Sequence, residues 1–392
     1  MAAIAYVKTS RLGRILAGHP WVYASDLLPL KKSPADGETV VVRAQEGFFV
    51  GKGVFNSRSE IRVRILSRNK DDELDDAWLR KRLQAALDFR NRYWKRPARR
   101  LVWSEADGLS GLVVDQYGDW IVAQVAGLAF ENRRDALASA LRDLTNAHGV
   151  LLRHDGVSRK KEGLAEGGPV QLLCGQDVPD RLDVKLGSAI FHVDLREGHK
   201  TGMYLDQQEN WQAVGGFCGG RRVLDCFSYQ GGFAIHAALA GAKEVHGVDI
   251  SEESVAQAKA NAEVNKAACS FTVANVFDHL TEFVGRGEIY DLVILDPPSF
   301  TRSRDKLQEA LRGYKQIHLQ ALRLLAPGGL LATFCCSHHV DAETFRAVAL
   351  DAAFDRRRTL RLLRSFGQPI DHPIVPAIPE TEYLKGFLFE AL

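Results

Sequence analysis

Apolar and polar positions alternate with two different periods along this chain, and the change of period divides it. Within roughly the first 75 residues the apolar positions come in short runs: "ETVVVRA", "FFVGKGVF" and "EIRVRIL". In the last run Ile61, Val63 and Ile65 alternate with Arg62 and Arg64, which predicts a strand with one face in a core and arginines facing solvent. Gly51 and Gly53 allow a bulge or a close backbone approach. Short strands with few helices predict a small β-barrel over residues 1–75. Residues 71–100, "DDELDDAWLRKRLQAALDFRNRYWKRPARR", take a helical period, and their acidic start suits a helix N-terminus. A small α+β unit is predicted over 76–180. It has a hairpin in "GLVVDQYGDWIVAQV" turning at Tyr117-Gly118-Asp119, an amphipathic helix in "ENRRDALASALRDL", and strands in "GVLLRHD" and "PVQLLCG". Over 181–392 the strands "RRVLDC", "EVHGVDI", "FTVAN", "YDLVILD" and "LLATFCC" alternate with helical stretches such as "SEESVAQAKANAEVNK", with Ser251 as its N-cap. That order predicts an α/β fold, a parallel sheet covered by helices on both faces. The final "YLKGFLFEAL" predicts a strand that pairs antiparallel at the sheet's far end.

Composition adds a broad class and charge adds a partner. Apolar residues make up 46% and charged residues 26% of the 392, the balance of a globular protein. The first residues carry no signal-peptide pattern, and no uncharged apolar stretch is long enough to cross a bilayer, so a cytoplasmic location and no membrane partner are expected. Net charge is +2, but it is unevenly placed. Residues 1–100 carry 21 Lys and Arg against 11 Asp and Glu, and the remainder is acidic. A basic module beside an acidic one predicts contact with a polyanion, most commonly nucleic acid. Arg90, Arg92, Lys95, Arg96, Arg99 and Arg100, interleaved with Tyr93 and Trp94, suit single-stranded RNA; a solvated helix face is the plainer alternative. The six cysteines have neither disulfide nor zinc spacing, so no metal is expected, and Cys174, Cys218, Cys226 and Cys269 read as small apolar filler.

The carboxyl ends of the predicted parallel strands carry the chemistry. "VLDCFSYQGGF" puts Asp225 at the end of the first strand and Gly231-Gly232 at the start of the next helix. This is neither GxGxxG nor a lysine-bearing phosphate loop. Glycines that let backbone approach a ligand, beside an acid that accepts from an amine or hydroxyl, fit an adenosyl amino acid. Asp249 ends the second strand 24 residues later, placed to accept from ribose hydroxyls, and Asn275 ends the third, placed to meet an adenine edge. "LDPPSF" ends the fourth strand; two prolines cannot continue a ladder, so Asp296 is left in the cleft.

With these residues in hand, the chain resembles the bacterial large-subunit ribosomal RNA cytosine-5 methyltransferases. That family joins a PUA domain, a central EEHEE domain and a Rossmann-like S-adenosylmethionine domain. "GHPWVYASDL" and "FNSRSEIRVRILS" resemble its PUA module, and "EADGLSGLVVDQYGDW" and "SRKKEGL" its central domain. "GHKTGMYLDQQEN", "LDCFSYQGGF", "VDIS", "LDPPSF" and "GYKQIHLQALRLLAPGGLLATFCCS" resemble its later motifs in order. The resemblance implies S-adenosylmethionine as cofactor, held by Thr201, Tyr204, Gln207, Asp225, Phe227, Ser228, Tyr229, Gly231, Gly232, Asp249, Ile250, Asn275, Val276, Asp296 and Pro297. It also implies ribosomal RNA as substrate and suggests a homodimer. The chain departs from the family pattern at Asn275, where Asp is frequent, at Ser299, where Lys is usual, and at His338, where Gly is usual.

Cytosine C5 is a poor nucleophile toward a methyl sulfonium. A thiolate added at C6 makes the ring an enamine, and an acid on N3 and the amino group supports the addition. The resemblance aligns Cys336 with the nucleophile and Asp296 with the acid. Successive strand residues face opposite sides, so Cys335 and Cys336 cannot both serve one substrate; Cys335 is expected in the core. The base that removes the C5 proton is left open, with His338 and His339 nearby. Rival readings are methyl transfer to another RNA base or RNA, a noncatalytic RNA-binding assembly factor that keeps the fold, and a small-molecule methyltransferase.

Overall fold

The computed structural model describes residues 3–30, 32–154, 157–301 and 303–392. The strands in chain order are β1 Ala3–Val7, β2 Trp21–Tyr23, β3 Thr39–Ala44, β4 Phe49–Phe55, β5 Ile61–Ser67, β6 Ala98–Trp103, β7 Leu112–Tyr117, β8 Trp120–Val125, β9 Gly149–Arg153, β10 Gln171–Gly175, β11 Asp183–Leu186, β12 Ala189–His192, β13 Arg222–Cys226, β14 Glu244–Asp249, β15 Ser270–Val273, β16 Tyr290–Leu295, β17 Leu325–Cys335, β18 Leu360–Gly367 and β19 Lys385–Ala391. The helices are α1 Leu12–Leu16, α2 Asp76–Tyr93, α3 Leu128–Glu131, α4 Arg134–Thr145, α5 Val157–Lys161, α6 Gln208–Gly215, α7 Gly232–Leu239, α8 Glu252–Val264, α9 Val276–Gly285, α10 Leu307–Leu324 and α11 Ala342–Asp355. Two compact units result. One comprises Met1–Val184, Val193–Leu205 and Ile370–Thr381; the other comprises Lys185–His192, Asp206–Pro369 and Glu382–Leu392.

The first unit holds two five-stranded sheets. One has the order β1-β3-β4-β5-β2 and encloses a core of Ala5, Val7, Val22, Val40, Val42 and Val63. The other has the order β10-β9-β8-β7-β6 and is covered by α2 and α4 through Leu79, Leu83, Leu137 and Leu141. The acidic start of α2 is used as expected: Asp75 caps it, accepting from Trp78 N at 2.8 Å.

Two expectations for this unit are corrected. Residues 71–100 are not one helix, because α2 stops at Tyr93 and a strand begins at Ala98. Pro97 donates no N–H and biases Arg96 away from the helical region. Nor do the basic residues form one solvent face. Arg64 is nearly buried between Glu105, at 3.2 Å, and Glu162, at 2.7 Å. Arg90 is fully buried with Asp107 at 2.5 Å, and Arg100 makes a two-point pair with Asp115 at 2.8 Å for each hydrogen bond. Arginine's fixed fork suits such buried pairs. Trp94 is buried as well, which leaves Arg92, Tyr93 and Lys95 exposed.

The second unit is a seven-stranded sheet in the order β15-β14-β13-β16-β17-β19-β18. All pairs from β15 to β17 are parallel, and β19 runs antiparallel to β17 and to β18. The chain leaves β13 toward β14 and β15, then returns to β13's other side for β16 and β17. That reversal opens a crevice at the carboxyl ends of the strands. One side of the sheet is packed by α9, α10 and α11. Ala310, Tyr314, Ile317, Ala321 and Leu324 form the buried face of α10 at helical spacing. The antiparallel last strand was expected at the far end of the sheet, but β18 is the edge. The seven residues of β19, KGFLFEA, are almost all buried on both faces and suit an interior position. Strand β18 carries Arg361 and Arg364 among its exposed positions, as edge strands commonly do. Strand β15 ends at Val273, two residues before Asn275.

Candidate active site

The carboxyl edge of the second unit's sheet holds the three acidic residues singled out above, Asp225 in β13, Asp249 at the end of β14 and Asp296 just after β16. After β13 the chain turns through Phe227, Tyr229 and Gly231, all with positive φ (64°, 47° and 85°). Only the glycine adopts this region without cost; the other two are held at of order 1 kcal/mol or more each. The loop is pinned by Ser228 N donating to Val248 O at 3.0 Å and Gly231 N donating to Ser228 O at 2.8 Å. Gly232 has a separate constraint: a Cβ there would sit 2.5 Å from the Trp211 ring.

Just before this loop, in β13, Asp225 is fully buried. One carboxylate oxygen accepts from Ala234 N at 3.0 Å, and the other has no partner among the described residues. The Ser228 hydroxyl, also buried, is likewise without one. Burial, then the charges of Asp296 and Asp249, hold the Asp225 carboxyl well above the usual carboxylate range. Asp249 closes β14, and its oxygens accept from Tyr229 N at 2.8 Å and Ser251 N at 3.0 Å. Ile250 beside it leaves 67% of its surface exposed, an apolar plate of the kind an adenine ring covers. Ser251 caps α8, accepting from Ser254 N at 3.1 Å. Asn275 caps α9 through its amide oxygen, which accepts from Phe277 N at 2.9 Å. Val276 turns its side chain into the core, so only its backbone remains for a ligand.

Asp296 follows β16. Gln207 Nε2 donates to both of its oxygens at 3.0 Å, and Asn210 orients Gln207 by donating to its Oε1 at 2.7 Å. Pro297 is buried, and Phe300 packs on Tyr314 with ring centroids 4.6 Å apart. In the β16–β17 register Leu295 lies opposite Thr333. Asp296 is therefore one residue beyond that pair and Cys336 three, on strands about 4.8 Å apart. The two thiols have different surroundings. Cys335 is fully buried, with its sulfur 3.4 Å from the Tyr314 hydroxyl, and burial pushes its thiol up from the ordinary value. Cys336, just past the strand, is half-exposed. His338 and His339 are exposed in the following turn.

Gln207, Asp225, Phe227, Ser228, Tyr229, Gly231, Gly232, Asp249, Ile250, Asn275, Val276, Asp296, Pro297 and Cys336 thus share one edge of one sheet. Thr201 and Tyr204 belong to the first unit. There Thr201 is buried, donating to Asp115 at 2.6 Å and bonded to the Tyr117 hydroxyl at 2.9 Å, and Lys200 lies over the Tyr204 ring at 4.3 Å. Sequence reasoning missed Lys385, whose buried ammonium lies under the Cys336 loop. It also missed His318, a buried imidazole behind the sheet. Lys385 stands in the quoted "YLKGFLFEAL", but nothing in a strand pattern sets it apart.

The geometry suits a cationic adenosyl ligand. Three carboxylates, those of Asp225, Asp249 and Asp296, converge at this edge, and S-adenosylmethionine brings a sulfonium and an ammonium against a single carboxylate. The unpartnered oxygens of Asp225 and Ser228 provide acceptors, and Asp249 suits hydroxyls. Among the described residues no cluster of metal-ligating side chains occurs, and no helix is long and apolar enough to cross a membrane.

Comparison with known proteins gives the class first. A family model described as an S-adenosylmethionine-dependent methyltransferase matches residues 162–385, and one described as a PUA-like domain matches residues 5–68. The chain is an S-adenosylmethionine-dependent methyltransferase with a PUA-like domain ahead of its Rossmann-like domain. The same fold recurs in a SAM-dependent methyltransferase from Streptococcus mutans, with a TM-score of 0.84 at 22% identity over 100% of both chains. A methyltransferase structure complexed with SAH scores 0.85, also at 22% identity over 100% of both chains. "Ribosomal RNA large subunit methyltransferase I" of Aeromonas salmonicida is 38% identical over 397 residues, covering 100% of both chains. The protein of that name from Photobacterium profundum is 37% identical over 394 residues, covering 99% of each. The chain belongs to the Ribosomal RNA large subunit methyltransferase I family.

Proposed function

We propose that this protein methylates the 5-carbon of a cytosine in large-subunit ribosomal RNA, with Cys336 as a covalent nucleophile and Asp296 as the acid that holds the base. The observation that carries this reading is a half-exposed thiol at the end of β17, beside the strand that delivers Asp296 to the cofactor edge. The relatives' printed name and the PUA-like domain support RNA as the substrate. Bound S-adenosylmethionine supplies an electrophilic methyl group on sulfur.

Asp225 and Ser228 would hold the amino-acid part of the cofactor, Asp249 the ribose and Ile250 the adenine. The target base must be unpaired or flipped to reach the cleft. When the base binds, Asp296 carries a proton, donates it in a hydrogen bond to N3 and accepts from the amino group, and Gln207 keeps the carboxyl aimed. The Cys336 thiolate bonds to C6, the C5=C6 pair moves to C4=C5, and the C4=N3 pair moves onto N3, which takes the Asp296 proton. C5 takes the methyl group as its bond to the sulfonium breaks and the neutral thioether leaves; a base then removes the C5 proton, N3 returns its proton to Asp296, and the S–C6 bond breaks to restore the aromatic ring and the thiolate. Fluorine at C5 leaves no proton to remove, so the bond to sulfur persists. RNA bearing 5-fluorocytosine, incubated with S-adenosylmethionine, is expected to leave a denaturation-resistant complex with the wild type and none with Cys336→Ala. An adduct that survives in Cys336→Ala removes Cys336 from the role. A chain that methylates RNA but traps no fluorocytosine favours an amino-directed reaction.

A further inference from the structure

The strand that lies against β17 brings a cation to the end where the two cysteines stand. In the antiparallel β17–β19 pair Lys385 lies directly opposite Cys335. The residue is only 9% exposed. The ammonium does not turn outward to water. It donates to Ser337 O and Val340 O, both at 2.6 Å. These carbonyls belong to the first and fourth residues after Cys336, so one lysine fastens both ends of the turn that follows the thiol. Burying an ammonium is costly, and two neutral carbonyls offset that cost only in part. An ammonium has three N–H donors, and among the described residues these two carbonyls take two of them.

We propose that Lys385 is the positioning residue for the Cys336 thiolate: it fixes the 337–340 turn and sets a positive charge against the sulfur. This rests on the covalent reading of Cys336 above. The charged and titratable groups around the lysine support it. Burial pushes the ammonium's own pKa down, whereas Cys335, Cys336, Glu382 and Asp341 act upward. Across the strand, Lys385 and the Tyr314 hydroxyl draw the Cys335 thiol downward against its burial, while Asp296 acts upward. Asp296 puts a negative charge beside any anionic sulfur at this edge, and Lys385 opposes it. Asp341 is itself held low, chiefly as the cap of α11, and so is an anion at neutral pH. His338 packs its ring on Tyr383, 5.5 Å away, over the same turn. The Tyr383 hydroxyl in turn donates to Asp206 at 2.6 Å.

The test is the pH dependence of iodoacetamide alkylation at Cys336, in a Cys335→Ala background so that modification at this strand end reports one sulfur. Lys385→Gln keeps hydrogen-bond donors for the carbonyls but removes the charge, and Lys385→Arg keeps the charge. The expected result is a profile displaced to higher pH by about one unit or more in the Gln variant, and near its original place in the Arg variant. In the Cys335 wild-type background, Lys385→Gln is expected to lower kcat about tenfold with little change in KM for RNA. A lysine that only braces the turn predicts a different outcome: faster alkylation at every pH with an unmoved midpoint, which overturns the inference. Should Lys385→Gln not fold, Lys385→Met carries the same comparison. The two claims separate cleanly. If Cys336→Ala still methylates RNA, the covalent reading falls whatever the alkylation shows. If Cys336→Ala is inactive and the midpoint in Lys385→Gln is unmoved, the lysine inference alone falls.

Discussion

At the scale of single residues, environment separates groups that are alike on paper. Cys335 and Cys336 are adjacent thiols, yet one is packed on Tyr314 and the other is half-exposed past the strand end. Cys336→Ala is expected to abolish methyl transfer with little effect on unfolding. Cys335→Ala should retain transfer and cost about 1 kcal/mol in denaturant unfolding, because it deletes a small buried group packed on Tyr314. Asp225 gives a prediction with opposite signs for stability and binding. Its carboxyl is raised by burial and by Asp296 and Asp249. The folded state therefore binds its proton more tightly than the unfolded state. The resulting stability is fully present below the unfolded carboxylate value and is lost as pH rises through the raised folded value. At neutral pH Asp225→Asn should thus melt higher than the wild type without cofactor. It should also bind S-adenosylmethionine roughly tenfold or more weakly, about 1.4 kcal/mol, in calorimetric titration. A variant that binds unchanged would remove Asp225 from the cofactor site.

At the scale of elements, the legible features were those that local chemistry dictates. Ser251 reads as an N-cap and is one, Gly231-Gly232 open α7, and Asp249 ends β14. The parallel sheet followed from the alternation of apolar runs with helical stretches, and Asp225, Asp249 and Asp296 stood out at the ends of three of its strands. Three features were not legible because nonlocal contacts set them. Strand β18 mixes leucine with arginine and shows a strand only once β19 is beside it. Pro97 and the Asp371 carboxylate, which accepts from Arg100 N at 2.8 Å, turn residues 98–103 into a strand. Arg64, Arg90 and Arg100 find acidic partners far away in sequence, so a solvent face became a set of buried pairs. Packing between elements can be tested at Gly232, where a Cβ would press on Trp211 of α6. Gly232→Ala should destabilise by about 1–3 kcal/mol in denaturant unfolding. His318 of α10 tests the sheet's covered side. It is fully buried, its Nε2 bonds Thr333 at 2.7 Å, and burial lowers its pKa to about 3. A lowered histidine contributes stability that is fully present above its unfolded value near 6.5. That stability falls as pH drops toward 3, by up to about 1.4 kcal/mol per pH unit. Urea unfolding at several pH values should show this slope in the wild type and a flatter one in His318→Leu.

At the scale of the whole molecule, the uneven charge retains its meaning in reduced form. Part of the basic excess of residues 1–100 is taken up by internal pairs, and Arg92 and Lys95 are among the side chains left exposed. Reversing both, Arg92→Glu with Lys95→Glu, should weaken RNA binding and flatten its salt dependence, because fewer phosphates are neutralised and fewer counterions are released. The family the chain belongs to fixes methyl transfer from S-adenosylmethionine; cytosine as the base and C5 as the atom are the proposal to be tested. The most direct test supplies unmodified large-subunit ribosomal RNA and S-adenosylmethionine labelled in its methyl group, then identifies the labelled nucleoside by mass spectrometry. Label in 5-methylcytidine, absent with Cys336→Ala, is the predicted result. Label on an adenine amino group, or label that persists with Cys336→Ala, would contradict the account.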